Sequence, residues 1–183
     1  MTNREMYCEA LELALDFEKK GEEFYRDSIQ KVEDEFAKRT LNLLAHEELH
    51  HIQKINQLNE ALVGNSEDFD FDAFCQTELP QRIEAHLKKF TGKEEQKIGP
   101  RSNDIEIYDL AMDMEKESYD MYKDSYETLG IPARANDERT KKFFEFLLKE
   151  ESLHYDLLAE SKKYLQEPSY YFEDYGGWIF GGV

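Results

Sequence analysis

The first half of this chain is written a second time in the second half, and that repetition limits the available folds more than any other feature. LALDFEKKGEEFYRDS at 13–28 lies over LAMDMEKESYDMYKDS at 110–125, with eight of sixteen positions identical. Unrelated helices of ordinary composition would share roughly one or two. A second match, offset by 103 positions instead of 97, lays LLAHEELHH at 43–51 over FLLKEESLH at 146–154. Such a chain pairs two copies of one supersecondary unit that cannot bury its apolar face alone.

That unit is a helical hairpin. Residues 5–31 and 35–62 are rich in Glu, Lys, Leu and Ala, lack Pro, and are separated only by the polar stretch around Val32 to Asp34. So short a link makes the two helices antiparallel neighbours. A second pair spans about 103–129 and 136–166, interrupted at Gly130, Ile131 and Pro132, residues suited to a helix stop. Between the pairs, Gly64, Asn65, Pro80, Gly92, Gly99 and Pro100 break the pattern. Residues 63–101 are therefore a crossover, with room for a short helix at 81–90. The predicted fold is all-α: an antiparallel four-helix bundle with one long crossover between its second and third helices. At 183 residues the chain suits one domain with one core, divided into hairpin 1–62, crossover 63–101, hairpin 102–166 and an aromatic tail, 167–183. The tail is expected to pack across the bundle or onto a partner copy.

Charge narrows the partners. Asp and Glu number 41 against 23 Lys and Arg, a formal net charge of −18, which repels nucleic acid and anionic membranes. No apolar run reaches bilayer length and the N-terminus lacks a signal-peptide core, so a soluble cytoplasmic protein is expected. Cys8 and Cys75 form no CxxC pair, which excludes a zinc ribbon or rubredoxin-type iron site built on them.

The apolar stripes carry the chemistry. In the second helix Leu41, Leu44, Glu48, His51, Ile55, Leu58 and Leu62 alternate by three and four residues, the spacing of a core-facing stripe. In the fourth, Phe144, Leu147, Glu151, His154 and Leu158 do the same. The stripe of the first helix runs Leu11, Ala14, Glu18, Gly21, Tyr25, Ser28, and that of the third Tyr108, Ala111, Glu115, Ser118, Tyr122, Ser125. A lone Glu usually sits on a solvated face, but here all four stripes would have to be misread together. Four carboxylates in an apolar interior need compensating cations, and two divalent metals supply the right charge.

Height along the bundle agrees. Glu18 and Glu48 lie fifteen residues either side of position 33, and Glu115 and Glu151 eighteen either side of 133, so at ~1.5 Å rise per residue each pair is level. Glu47 and His50 also have Glu-x-x-His spacing, but Glu150 is followed three later by Leu153. The repeat therefore selects Glu48 and His51, and His46, His50 and His86 are read as lying outside the ligand set. Tyr25 and Tyr122, two turns from Glu18 and Glu115, are placed to hydrogen-bond ligand carboxylates; plain core aromatics are the alternative. Gly21 and Ser118 are expected to leave volume for metals and a small oxidant, or else to relieve helix packing.

With these residues the sequence resembles the ferritin-like di-iron proteins, and within them the rubrerythrin branch, over about residues 5–166. That family places one inward Glu on each of two helices and Glu-x-x-His on the other two. The resemblance implies a metal site of Glu18, Glu48, His51, Glu115, Glu151 and His154, with Glu48 and Glu115 or Glu18 and Glu151 able to bridge. It implies iron as the metal, although carboxylate and imidazole donors also accept manganese or zinc. There are two departures. Rubrerythrins carry a further Glu one turn beyond the inward Glu of the third helix, where this chain has Ser118. The rubredoxin segment that delivers electrons in that family is also not seen, so a separate electron donor protein is expected.

The activity implied is an oxidoreductase of peroxidase or ferroxidase type. It would reduce hydrogen peroxide or dioxygen, with oxidation of Fe(II), in oxidative-stress defence, and work as a homodimer. Two other readings fit the ligand set: a non-catalytic iron-binding or storage protein, and a hydroxylase of an organic substrate. The second is disfavoured by the acidic surface and the lack of a membrane-binding stretch.

Overall fold

A computed structural model describes residues 3–64, 71–91, 102–129 and 135–167. Four long helices make the bundle: α1 (Asn3–Ile29), α2 (Glu35–Gly64), α5 (Ser102–Thr128) and α6 (Ala135–Gln166). Two shorter ones lie in the crossover, α3 (Phe71–Phe74) and α4 (Leu79–Thr91). No strand occurs among the described residues, and none of their helices is long and apolar enough to cross a membrane. The fold is an all-α, ferritin-like bundle.

Local chemistry sets the helix ends. The Asp34 carboxylate accepts the amide N–H groups of Phe36 (2.8 Å) and Ala37 (3.0 Å), capping donors that the first turn of α2 leaves unpaired. Ser28 closes α1, its carbonyl accepting from Lys31 and Val32. The buried Asp104 of α5 reaches over to accept the backbone N–H groups of Glu33 and Asp34 at 3.3 and 3.2 Å. This fixes the tip of the first hairpin against the second. Helix α4 starts at Leu79, two residues earlier than the sequence pattern suggests, because Pro80 tolerates the first turn and the Thr77 hydroxyl accepts the Leu79 amide at 3.0 Å. The four-residue α3 is too short to show a period and was not expected. Gly130 to Pro132 and the aromatic tail beyond 167 lie outside the described residues.

The core divides into two apolar clusters. One gathers Tyr25, Phe36, Leu41, Leu44, Tyr108, Leu158 and Leu165, and the other Leu11, Ile55, Leu58, Tyr122, Phe143, Phe144 and Leu147. The C-terminal part of α1 therefore shares an end with the N-terminal part of α5, and α2 and α6 are opposed in the same way. Between the clusters, at mid-height, lies a polar layer. Helix α4 packs against α2 and α6, covering a second face of each, and Leu79 is wholly buried there.

A candidate dinuclear metal centre

The polar layer is built from one carboxylate or one carboxylate and one imidazole per long helix. Glu18 comes from α1, Glu48 and His51 from α2, Glu115 from α5, and Glu151 and His154 from α6; none is more than 3% exposed. The three-residue separation in α2 and α6 puts each Glu and His on one helix face, one turn apart. Both imidazoles turn Nδ1 toward the carboxylates. His51 Nδ1 lies 3.0 Å from Glu18 Oε2 and 3.7 Å from oxygens of both Glu48 and Glu151. His154 Nδ1 lies 3.3 Å from Glu115 and 3.5 Å from Glu48. The two rings stack, with centroids 5.3 Å apart.

Donor atoms within 4.8 Å of one another form two sets: Glu18, Glu48, His51 and Glu151, and Glu48, Glu115 and His154. Glu48 belongs to both. Its Oε2 faces one imidazole and its Oε1 the other, the disposition of a carboxylate placed to bridge two ions.

Tyr25 and Tyr122 enter the layer from opposite clusters. The Tyr25 hydroxyl donates to Glu115 Oε1 and the Tyr122 hydroxyl to Glu18 Oε1, so each phenol serves the carboxylate from the other half of the repeat. Burial, reinforced by the charge of these acids, holds both phenols protonated well above their ordinary range.

Electrostatics show how the layer distributes its charge. Burial raises Glu18 to about 8. Burial, together with the charges of Glu115, Glu48 and Glu18, keeps Glu151 protonated well above the carboxylate range. Burial acts the same way on Glu48, but hydrogen bonds involving Glu18, His154 and His51 outweigh it and bring Glu48 to about 2. On Glu115 burial is overcome chiefly by the His154 charge, and the net shift is downward. Burial alone would deprotonate the imidazoles. The Glu18 charge raises His51 well above its usual value instead, and Glu115 raises His154 to about 10. Even so, Glu115 Oε2, Glu151 Oε1 and His154 Nδ1 are buried without a hydrogen-bond partner. Buried polar atoms are rarely left so, and their place in the two donor sets, Glu151 in one and Glu115 and His154 in the other, fits bound cations.

A family model described as Rubrerythrin matches residues 9–162. The chain belongs to the rubrerythrin family. No curated protein and no solved structure matches it. Membership implies a di-iron site, and the Glu and His sets of this rubrerythrin-family chain fit one in donor type, number and orphaned atoms.

The structure thus brings together all six residues that the stripes selected, and puts both tyrosines on carboxylates of that layer. The three other histidines lie off the layer: His46 is exposed, His50 faces Arg82, and His86 meets the Thr40 hydroxyl at 3.0 Å. Gly21 needs correction. A Cβ there would sit 3.2 Å from Glu48 Cδ, so the space beside Gly21 is occupied by the Glu48 carboxylate and is not free for an oxidant. Two buried acids escaped the sequence reading, Glu47 (4% exposed) and Glu150 (3%). Arg82 of α4 escaped it too; its Nη1 donates to Glu47 at 2.7 and 2.8 Å. The doubled Glu-Glu in both halves of the repeat was the available signal.

Proposed function

We propose that this rubrerythrin-family protein is an oxidoreductase whose six-residue layer holds two iron ions and reduces hydrogen peroxide or dioxygen, with oxidation of Fe(II). The observation that carries this reading is the sharing of Glu48 between two buried donor sets, which suits a metal pair of the kind that can act on both atoms of an O–O bond. Glu18, His51 and Glu151 would hold one ion, Glu115 and His154 the other, and Glu48 would join them. When bound, iron supplies the electrons and the Lewis acidity; the chain supplies the rest. Tyr25 and Tyr122 orient Glu115 and Glu18 through their hydroxyls, and the apolar clusters on either side exclude water from the layer.

A separate electron donor protein would restore the reduced state, and a homodimer is the proposed working unit. Leu13 (45% exposed) and Leu110 (58%), equivalent positions of the repeat, present matching apolar side chains on α1 and α5, which supports self-association. A cytoplasmic location suits the acidic chain.

The test loads metal-free protein anaerobically with Fe(II) and adds peroxide in a stopped-flow spectrometer. Ferric absorbance rising much faster than with free Fe(II), with peroxide consumed in step, supports the reading; oxidation no faster than that of free iron rejects it. Light scattering on the loaded protein separates a dimeric enzyme from a large storage shell.

A further inference from the structure

Outside the ligand layer the two halves of the repeat are not equal. Glu47 and Glu150 stand at equivalent positions, each immediately before a ligand carboxylate, and both are buried. Glu150 turns to a ligand imidazole: its Oε2 lies 3.8 Å from His51 Nε2, the ring nitrogen facing away from the carboxylate layer. Glu150 Oε1 is buried with no hydrogen-bond partner. Symmetry would aim Glu47 at His154, but Glu47 is taken. Arg82 Nη1 donates to both of its oxygens and lies 2.9 Å from His50 Nδ1. His51 Nε2 and His154 Nε2 are both buried without a hydrogen-bond partner; what distinguishes them is the Glu150 carboxylate, 3.8 Å from the first.

The consequence follows from imidazole chemistry. A histidine that binds metal through Nδ1 carries its proton on Nε2, and a carboxylate accepting that proton fixes the tautomer, holds the ring and makes Nδ1 a stronger donor. We propose that Glu150 is a positioning residue for His51, and that Arg82, by claiming Glu47, denies His154 the same support, so that the two metal positions bind with unequal strength and the His51 position is the tighter. The division of ligands points the same way, His51 belonging to a set of four donors and His154 to a set of three. This inference rests on the two-metal reading above and adds an order of affinity that the family pattern does not contain.

The experiment titrates the full metal-free chain with Co(II) against a competing chelator, following the Co(II) absorption and the paramagnetically shifted ring N–H signals in proton NMR. The natural chain is expected to take two equivalents of unequal affinity and to show one slowly exchanging ring N–H. In Glu150→Met the tighter equivalent weakens by about 10- to 100-fold and that N–H signal broadens into solvent exchange, while the other equivalent stays within about threefold. Glu150→Gln, which keeps a carbonyl acceptor, restores most of the loss. Arg82→Met frees Glu47, strengthens the weaker equivalent and narrows the gap; it needs no change at Glu150, so it tests the idea even if Glu150→Met fails to fold by circular dichroism. Two equal affinities in the natural chain, equal weakening of both equivalents by Glu150→Met, or an Arg82→Met protein with an unaltered gap would each overturn the proposal. Uptake of fewer than two Co(II) by the natural chain would instead reject the two-metal reading.

Discussion

Loading the centre should expel protons in a number that the structure sets. Without metal, the layer at pH 7 carries one proton beyond the ordinary neutral state on each of His51 and His154, and one on each of the carboxyls of Glu18 and Glu151. Glu48 and Glu115 remain ionised. Two imidazolium charges against two carboxylates leave the interior neutral, the condition that a buried site demands. Two divalent ions bound to four carboxylates and two neutral imidazoles are neutral as well, so the protons on Glu18, Glu151, His51 and His154 must leave, about four per metal pair. Because protons are products, affinity rises with pH. The logarithm of the overall two-metal constant should gain about four per pH unit near neutrality, and less above pH 8, where Glu18 begins to lose its proton unaided. Calorimetric titration with Zn(II) in buffers of different ionisation enthalpy measures the number directly, and Glu18→Gln should lower it by about one. Release of one proton or none would refute the reasoning, since the metal-free layer would then carry its negative charges bare.

Three further outcomes are expected. Tyr25→Phe and Tyr122→Phe each strand a buried carboxylate oxygen and should destabilise the metal-free protein by about 1–3 kcal/mol in urea denaturation, to similar extents because their contacts are equivalent. Gly21→Ala separates site from scaffold: the new methyl lies 3.2 Å from Glu48 Cδ, while a helical alanine gains up to about 1 kcal/mol over glycine. Metal affinity should therefore fall while the melting temperature of the metal-free protein holds or rises. Leu147→Ala, at a wholly buried position, should lower stability by about 2–5 kcal/mol in denaturant titration without altering the two-equivalent metal stoichiometry.

The ligand layer was legible because its residues obey two independent regularities. Glu48 and His51 continue an apolar stripe, and the repeat places Glu151 and His154 on the matching stripe of α6, so helical period and self-similarity select the same frame. The long helices were readable for the same reason, and their ends fall within two residues of the expected limits, the usual uncertainty of frayed termini. Glu47 and Glu150 were not legible. Period counting assumes one buried face per helix, and it assigns these positions to solvent. Helix α4 covers a second face of α2 and α6, and Arg82 lies eighteen residues beyond the end of α2 at Gly64, where no helical period links it to the bundle. Gly21 shows a different limit: its small side chain was noticed, but only the coordinates show that Glu48 uses the space.

The crossed tyrosines tie the two hairpins to one another through the centre itself. Tyr25 belongs to the first hairpin and serves Glu115 of the second; Tyr122 belongs to the second and serves Glu18 of the first. Each hairpin supplies an imidazole to its own glutamate but not the phenol, which comes from the other hairpin in both cases. The centre is thus a property of the pair and not of either hairpin: separating the two would strand both phenols and the two carboxylate oxygens they serve.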